Sequence, residues 1–385
     1  MPRERVVRAI CHEEPDRVPV FEPYGVFSPT ADVILGRPSI IGDSSRRLKM
    51  EFEGRYKEIR KAYTKDTIDL SSKLNFDVAY VSPPPYREEP KPEDRPNLIG
   101  EWTWSAGDSV YRFLPGSGVV KEIDSKIKSG GIPALKEYVD ELEETKQADM
   151  EELREGLDDF EKTLGRIWKK QGLLLCSAAG HIPMGASWFP LFLQCFYRNR
   201  DLMRRFLQVT TKRNIMAMKL AMDYGAELIY IHGDIACNHG PFISPDLYRE
   251  LIFPEIKKEV DEIHKRGAFA FNSSDGNLWP IIDDYLVNSN VDGMMEIQVT
   301  AGMDRRKLKE RFGDRICFNG AVDCSLVLPY GSQAEVIRET KSTIDTLSPG
   351  GGHILCSTHS IHKGVKPENY LTMLQVARKY GQYGH

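Results

Sequence analysis

The sequence predicts a (β/α)8 TIM barrel, in which parallel strands and helices alternate along the chain. Eight short apolar segments recur along the 385 residues, and helical stretches separate most of them, as in βαβ units. Most segments lack strict polar alternation, which is typical of strands covered on both faces. Several end in polar residues, and barrel enzymes carry their chemistry at the carboxyl ends of the strands. The predicted strands are residues 17–22, 76–81, 172–177, 228–232, 268–272, 292–296, 316–319 and 353–357.

A long segment after the second predicted strand interrupts this pattern. Residues 83–171 open with three consecutive prolines and then carry a hairpin signal around Gly107-Asp108. Two charged helices follow, near residues 132–145 and 150–168. We expect the chain, 1–385, to be a single barrel domain with this segment as a cap beside the barrel mouth. The alternating aromatic residues of the hairpin predict either one face of a strand or a roof over an aromatic substrate: Trp102, Trp104, Tyr111 and Phe113.

The composition narrows the class of protein and its location. A formal net charge of -4 gives no reason to expect a nucleic acid or an anionic membrane as a partner. No apolar run reaches the ~20 residues that a membrane span needs, and the charged N-terminal segment does not have the pattern of a signal peptide. The seven cysteines are scattered without CxxC spacing, which favours small core residues over a disulfide framework. We therefore expect a cytoplasmic protein.

Polar residues follow the fourth and fifth predicted strands. His232 and Asp234 come at the end of the fourth strand, where they present an imidazole and a carboxylate to one pocket or form a local loop pair. The fifth strand runs into residues 272–277, which are short and polar around Gly276. Such crowding after an apolar strand indicates a ligand site, and the alternative is a helix cap made by Asp275 or Asn277.

Three more strand ends carry candidate functional residues. Glu296 ends the sixth strand, and a carboxylate there is costly to bury unless it is paired or bound to a metal. Glu22 ends the first strand in the same manner. His359 lies beyond the eighth strand among hydroxyl side chains. Because parallel strand ends meet at one mouth, we expect these residues to lie close together.

Several ordered motifs resemble those of the uroporphyrinogen decarboxylase family, and together they extend over nearly the whole chain. This resemblance implies the same barrel and, for the activity, one of at least two chemistries. The motifs are Arg3-Glu4-Arg5-Val6, Glu14-Pro15-Asp16-Arg17-Val18-Pro19-Val20, Gly240-Pro241-Phe242-Ile243-Ser244-Pro245-Asp246-Leu247-Tyr248-Arg249-Glu250, Asp275-Gly276-Asn277, Ala301-Gly302-Met303-Asp304, Phe312-Gly313-Asp314-Arg315, Gly320-Ala321-Val322-Asp323 and Pro349-Gly350-Gly351-Gly352-His353-Ile354-Leu355.

The chain departs from both branches of that family. The porphyrinogen decarboxylases carry arginines after the first strand and an aspartate beyond the second, and neither is present here. A substrate with many carboxylates needs such cationic partners. The corrinoid-dependent methyltransferases bind zinc through His-x-Cys before Gly-Asn and a late cysteine. In this chain Ser273 stands in the place of that histidine, Asp275 in the place of the cysteine, and His359 near the late cysteine.

The resemblance favours the methyltransferase branch. Nitrogen and oxygen ligands leave zinc a stronger Lewis acid than thiolates do, which suits removal of a methyl group from oxygen or nitrogen. The expected function is methyl transfer from a small methylated substrate, plausibly a methoxylated aromatic, to a corrinoid on a partner protein. The expected zinc ligands are Asp275, His359, His232 and Glu296; the expected catalytic residues are His359, Asp234 and Glu22; the expected substrate contacts are Asn272, Ser273, Asn277, Tyr24 and Tyr80.

Two other interpretations remain open at this point. The first is a metal-independent decarboxylase of a small acid, in which His359 or Asp234 protonates the carbanion. The second is a non-catalytic barrel that binds a ligand or a partner. The resemblance also implies that the chain pairs as a homodimer.

Overall fold

The computed structural model describes residues 1–144 and 147–384. Thr145, the last residue of the predicted helix 132–145, lies outside the described residues. Within the described ranges, no helix is both long enough and apolar enough to cross a lipid bilayer.

Parallel strands in sequence order form the central sheet. Within the described residues it has seven strands, ordered β1-β6-β7-β10-β11-β12-β13. Because each strand lies beside the next one along the chain, the sheet curls into a barrel with helices outside. These strands are β1 Val78–Tyr80, β6 Leu174–Gly180, β7 Leu228–His232, β10 Phe269–Ser273, β11 Gly293–Met295, β12 Cys317–Val322 and β13 His353–Ser357.

The first predicted strand, residues 17–22, occupies the eighth position of the barrel without regular pairing. Val20 forms a parallel bridge with Leu355 of β13, and its carbonyl accepts the N–H of Asp77 at 3.0 Å, just before β1. The segment therefore closes the sheet between β13 and β1. Pro19 has no N–H to donate, which prevents a continuous hydrogen-bonded ladder. The predicted (β/α)8 barrel is confirmed, with one irregular member.

The helices separate the barrel strands and cover the outside of the sheet. The longest is α9, Arg200–Asp223, which follows β6. It packs against α11, Phe253–His264, and against the helices of the inserted segment. The helices before residue 175 are α1 Pro2–Ile10, α2 Thr30–Leu35, α3 Ser44–Phe52, α4 Tyr56–Leu74, α5 Lys126–Glu143, α6 Gln147–Phe160 and α7 Arg166–Gln171. The later helices are α8 Phe189–Arg198, α9 Arg200–Asp223, α10 Pro245–Leu247, α11 Phe253–His264, α12 Arg305–Phe312, α13 Val327–Tyr330, α14 Gln333–Leu347 and α15 Pro367–Tyr380.

Strand alternation decides which residues face the barrel interior. Leu228 and Tyr230 of β7 and Phe271 of β10 belong to the interior cluster, whereas Ile229 and Ile231 pack against the helices. Since side chains alternate along a strand, His232 and Ser273 continue the interior rows at the carboxyl ends of β7 and β10. The mouth of the barrel therefore receives these two side chains directly.

The inserted segment contains a second, antiparallel sheet where the sequence predicts a hairpin. Its four strands are β2 Asn97–Gly100, β3 Thr103–Ala106, β4 Ser109–Leu114 and β5 Val119–Ser125. Trp104 and Phe113 pack with Leu48 of α3. Lys363, in the loop after β13, donates its Nζ to the carbonyl of Pro115 at 2.8 Å. The tip of this sheet thus contacts a loop at the barrel mouth.

A separate two-stranded ribbon lies at the mouth. It comprises β8 Ala236–Cys237 and β9 Gly240–Pro241.

Candidate metal centre at the barrel mouth

Three side chains that can bind a metal converge at the mouth. Asp275, Glu296 and His359 each offer a ligand atom, and these atoms all lie within 4.8 Å of one another. The Nε2 atom of His359 is 3.6 Å from Oε1 of Glu296 and 4.0 Å from Oδ2 of Asp275. The residues follow β10, β11 and β13, so the barrel brings together positions that are distant in the sequence.

The backbone of Glu296 turns its side chain toward the mouth. Met295 belongs to the interior cluster, so a continued strand would direct Glu296 toward the helices. Instead Glu296 has a φ of 64°, a left-handed conformation that is uncommon for a residue with a side chain. The strand ends there, and the Glu296 carboxylate lies beside Ser273 and His359. Residues in this conformation are concentrated at functional sites.

A chain of hydrogen bonds leads from Glu296 across the mouth. Ser273 Oγ donates to Oε2 of Glu296 at 2.6 Å, and the Tyr24 hydroxyl lies 2.7 Å from Ser273 Oγ. The same hydroxyl is 3.0 Å from Nδ1 of His232. Tyr24 also stacks on His359, with ring centroids 4.7 Å apart and an angle of 5° between the planes. Tyr24 therefore connects His232 to two of the three candidate ligands, to Glu296 through hydrogen bonds and to His359 through ring stacking.

The two carboxylates of the centre have no cationic side chain beside them. Burial, together with the charge of Asp234, raises the pKa of Asp275 to about 7. Burial and the charges of Asp275 and Asp234 raise the pKa of Glu296 to about 8. In the described part of the chain, no lysine or arginine nitrogen lies within 4.0 Å of either carboxylate. A bound cation would remove this repulsion.

The donor set fits a catalytic zinc ion. One imidazole and two carboxylates are ligands that zinc accepts, and three protein ligands leave a position open, as in catalytic sites. Ligand atoms around tetrahedral zinc lie roughly 3.4 Å apart, since each is ~2.1 Å from the ion. The distances of 3.6 and 4.0 Å, and the limit of 4.8 Å within which all three ligand atoms lie, are longer, so an inward movement of the side chains would complete the site.

Ser360 decides which nitrogen of His359 carries the proton. Its backbone N–H lies 2.7 Å from Nδ1 and its hydroxyl lies 3.0 Å from the same atom. When the N–H donates, the neutral ring keeps its proton on Nε2. For Nε2 to bind a metal, Nδ1 must carry the proton and donate it to the Ser360 hydroxyl, which requires the ring to turn away from the backbone N–H of Ser360. Burial lowers the pKa of His359, which favours the neutral ring in either arrangement.

His232 and Asp234, both predicted as site residues, lie beside the three ligands. His232, an expected zinc ligand, is not among the three residues whose ligand atoms lie within 4.8 Å of one another, and its Nδ1 contacts the Tyr24 hydroxyl. Burial, followed by the nearby His359, lowers the pKa of His232 to about 4, so its ring is neutral near pH 7. Asp234 Oδ1 accepts the backbone N–H of Asp275 at 3.3 Å. Asp234 therefore contacts the segment that carries Asp275, whereas His232 is connected to the group through Tyr24.

Other predicted site residues make contacts away from this group. Asn272 is fully buried and donates Nδ2 to the carbonyl of Tyr285, in the helical layer behind the sheet. Asn277 Oδ1 accepts the N–H of Trp279, the local cap that was the alternative to a ligand contact. Tyr80 packs in the barrel interior against Phe21 and Tyr230. Strand alternation and local capping account for the contacts of Asn272 and Asn277, and the role of all three residues as substrate contacts stays a prediction.

Glu22 is also separate from the metal ligands. Its carboxyl oxygens are 3.1 Å from the backbone N of Ser357 and 2.8 Å from the hydroxyl of Ser357. Burial raises the pKa of Glu22 to about 8, so it is protonated near neutral pH. The Ser357 hydroxyl also contacts the carbonyl of His359. Since a hydroxyl has one proton, it can satisfy both groups only when a protonated Glu22 donates to it.

Sequence reasoning did not single out two residues that support the mouth. Gln298 Oε1 accepts the N–H of Gly276 at 2.9 Å, which ties the loop after β11 to the loop of Asp275. Ser360 holds the ring of His359, as described above. Both lie within two residues of a candidate ligand. The signal that could have found them is therefore the run of polar residues that continues past each strand end.

Comparisons with known proteins match the chain to a family and to a solved structure over nearly its whole length. A family model described as "Uroporphyrinogen decarboxylase (URO-D)" matches residues 124–380. A uroporphyrinogen decarboxylase of Methylibium petroleiphilum is 24% identical over 258 residues, which is 61% of this chain and 65% of that protein. The one of Thioalkalivibrio sulfidiphilus is 24% identical over 148 residues, 37% of this chain and 40% of that protein. The chain thus spans less than two thirds of either relative.

A solved structure resembles nearly the whole chain in fold. It is described as a methyltransferase from Methanosarcina mazei and superposes with a TM-score of 0.62 at 16% sequence identity. The superposition covers 98% of both chains. At this identity the likeness concerns the fold alone.

Proposed function

This chain belongs to the uroporphyrinogen decarboxylase family, and we propose that it is a zinc-dependent methyltransferase. It would move a methyl group from a small methylated compound to a corrinoid carried by a separate protein. The observation that carries the proposal is the convergence of Asp275, Glu296 and His359 without a cationic partner. Three such ligands with one side open suit an ion that must also contact a substrate.

The residues around the centre have separate tasks in this proposal. When bound, zinc supplies a Lewis acid at the oxygen or nitrogen that releases the methyl group. Asp275, Glu296 and His359 hold the ion. Asp234, which accepts the N–H of Asp275, fixes the loop that presents that ligand. Tyr24 and Ser273 contact the ligands from the other side.

The charge of the mouth supports methyl transfer over reaction of a carboxylic acid. Besides burial, the charge of Asp234 raises the pKa of Asp275, and the charges of Asp275 and Asp234 raise the pKa of Glu296. A substrate carboxylate would add another negative charge, and the described residues offer no arginine or lysine to pair with it there. A neutral or cationic methylated compound avoids this repulsion.

A cleft beside His359 suits the ring of a methoxylated aromatic compound. It has a volume of about 560 Å³ and lies between the loop of residues 27–46, the tip of the antiparallel sheet and the loop after β13. Trp102 and Phe113 line it with their rings 5.0 Å apart, and Ser360 lines it next to His359. These two rings belong to the four aromatic residues for which the sequence predicts either a strand face or a roof over a substrate, and Phe113 also packs with Trp104 and Leu48 of α3.

The aromatic cleft leads to a first prediction. Replacing Trp102 by Leu should raise the Michaelis constant for 2-methoxyphenol about 3- to 10-fold, since aromatic contacts contribute ~0.5–1.5 kcal/mol beyond their area. Steady-state kinetics would measure this. Trp102→Phe is the matched control, because it keeps a ring and should stay close to wild type. An unchanged Michaelis constant in Trp102→Leu would exclude the cleft as the ring site.

The proposed function is tested on the purified wild-type protein. We expect about one zinc ion per chain by elemental analysis. We also expect zinc-dependent methylation of free cob(I)alamin from a methyl ether or a methylated amine, followed by the visible absorption of the corrinoid. Chelation should stop the transfer and zinc should restore it. Metal-free protein that retains full turnover would refute the proposal.

A second candidate is a metal-independent decarboxylase, and one observation favours it. The Ser360 N–H that points at Nδ1 of His359 selects the tautomer with a proton on Nε2. Such a ring can donate that proton to a carbanion at the mouth. Release of carbon dioxide from a small acid by chelator-treated protein would establish this activity in place of methyl transfer.

A further inference from the structure

We propose that Tyr24 is a positioning residue that sets the geometry of two zinc ligands, Glu296 and His359. The inference rests on the proposed function, because it requires a metal at the centre. It assigns Tyr24 and Ser273 a role different from the substrate contact that the sequence suggests.

The first contact is the stacking of Tyr24 on His359. The two rings are nearly parallel, at 5°, with centroids 4.7 Å apart. Imidazole nitrogens bind a metal in the plane of the ring. A neighbour that fixes this plane therefore fixes the direction in which Nε2 points. The Ser360 hydroxyl, 3.0 Å from Nδ1, can hold the opposite edge of the same ring when Nε2 binds the metal.

The second contact is the hydrogen-bond chain from the Tyr24 hydroxyl. A carboxylate bound to a metal has no proton, so Ser273 must donate to Oε2 of Glu296 across their 2.6 Å contact. The single proton of Ser273 is then used, and the Tyr24 hydroxyl must donate to Ser273 Oγ at 2.7 Å. The Tyr24 oxygen in turn accepts Nδ1–H of His232 at 3.0 Å. Every hydrogen bond in this series therefore donates its proton in the direction of Glu296.

This series of hydrogen bonds leaves one oxygen of Glu296 free to bind the metal. Oε2 is held by Ser273, whereas Oε1 faces Nε2 of His359 at 3.6 Å. Hydrogen bonds of this kind to ligating carboxylates and imidazoles orient them and increase metal affinity. Tyr24 thus acts on both ligands at once, on one through its ring and on the other through its hydroxyl.

The loop that carries Tyr24 is anchored on both sides. Gly25 donates its N–H to the carbonyl of Glu22 at 3.2 Å, and Ile361 donates its N–H to the carbonyl of Gly25 at 3.1 Å. Val26 forms a parallel bridge with Ile361, two residues after His359. The Tyr24 ring and the His359 ring are therefore held by the same pair of segments, which gives their stacking a rigid base.

Zinc affinity of the holoprotein tests the proposal directly. Competition with a chromophoric chelator should show that Tyr24→Phe, which keeps the ring but loses the hydroxyl, binds zinc roughly 10- to 100-fold more weakly than wild type. Ser273→Ala should lose a similar factor. Because the hydroxyl acts through Ser273, the double variant should bind no more weakly than Ser273→Ala alone. The visible spectrum of the cobalt(II)-substituted protein should change in the same variants.

The matched control is Tyr248→Phe, which removes a buried hydroxyl that has no hydrogen-bond partner within the described residues. It should keep wild-type zinc affinity and an unchanged cobalt spectrum. Equal affinity and spectrum in Tyr24→Phe and wild type would overturn the positioning of Glu296 through the hydroxyl, and equal values in Tyr24→Leu would overturn the positioning of His359 through the ring. Failure of the wild-type protein to bind zinc would instead overturn the proposed function, so the two failures are distinguishable.

Discussion

Replacing His359 by Ala should lower both zinc affinity and methyl transfer by more than about 100-fold, since loss of a direct ligand exceeds the 10- to 100-fold cost of losing an outer contact. The variant leaves Asp275 and Glu296 as the remaining ligands, and burial and neighbouring carboxylates raise the pKa values of both. Elemental analysis after dialysis and the rate of corrinoid methylation would measure the two losses.

The control for this experiment is His239→Ala. His239 is an exposed histidine in the ribbon at the mouth and lies outside the three-residue group. It should retain both zinc and activity. If His359→Ala bound zinc stoichiometrically with wild-type affinity, the proposed centre would be wrong. Loss of activity without loss of zinc would point to His359 as the proton donor of the decarboxylase alternative.

The second large effect concerns Glu22 and the pH dependence of stability. Burial raises its pKa from an ordinary 4.5 to about 8 in the folded state. Below pH 4.5 both the folded and the unfolded chain hold the proton. As the pH rises from 4.5 to 8, the unfolded chain releases it while the folded chain keeps it, so the free energy of unfolding falls. This loss amounts to up to roughly 4–5 kcal/mol, because each pKa unit corresponds to ~1.4 kcal/mol.

Glu22→Gln should remove this contribution. The amide can accept the N–H of Ser357 and donate to its hydroxyl, as the protonated carboxyl does, but it does not titrate. Urea unfolding at pH 5 to 8 should therefore show the variant gaining stability relative to wild type as the pH increases. The exposed Glu53→Gln is the control and should follow wild type. Parallel pH profiles for wild type and Glu22→Gln would contradict the buried, protonated state.

Much of the barrel was predictable because its signals are local. The apolar run of β7 was predicted at residues 228–232 and has those bounds in the structure. The run of β13 was likewise predicted at residues 353–357. The segment at residues 17–22 was predicted as a strand and lies in the expected position, yet Pro19 prevents regular pairing there. The hairpin signal at Gly107 marked only the central pair of a four-stranded sheet, since the outer pairings depend on turns with weaker signals.

The candidate site was predictable in composition and less so in orientation. Polar residues after apolar strands indicated a shared mouth, and the structure brings Asp275, Glu296 and His359 together there. Alternation then separates side chains that the sequence treats alike: Ser273 faces Glu296, whereas its neighbour Asn272 contacts Tyr285 behind the sheet. Which of two adjacent residues faces the mouth depends on where each strand begins, and this is the least certain part of any sequence pattern.

The sequence by itself determined the order of strands and helices, the family, and the set of polar residues at the strand ends, because periodicity and motifs are properties of neighbouring residues. Only the tertiary structure decided that Glu296 turns back into the mouth with a φ of 64°, that Tyr24 stacks on His359, and that Glu22 is buried against Ser357. These features depend on contacts between segments far apart in the chain. Their geometry follows from the closure of the barrel, and no local pattern contains it.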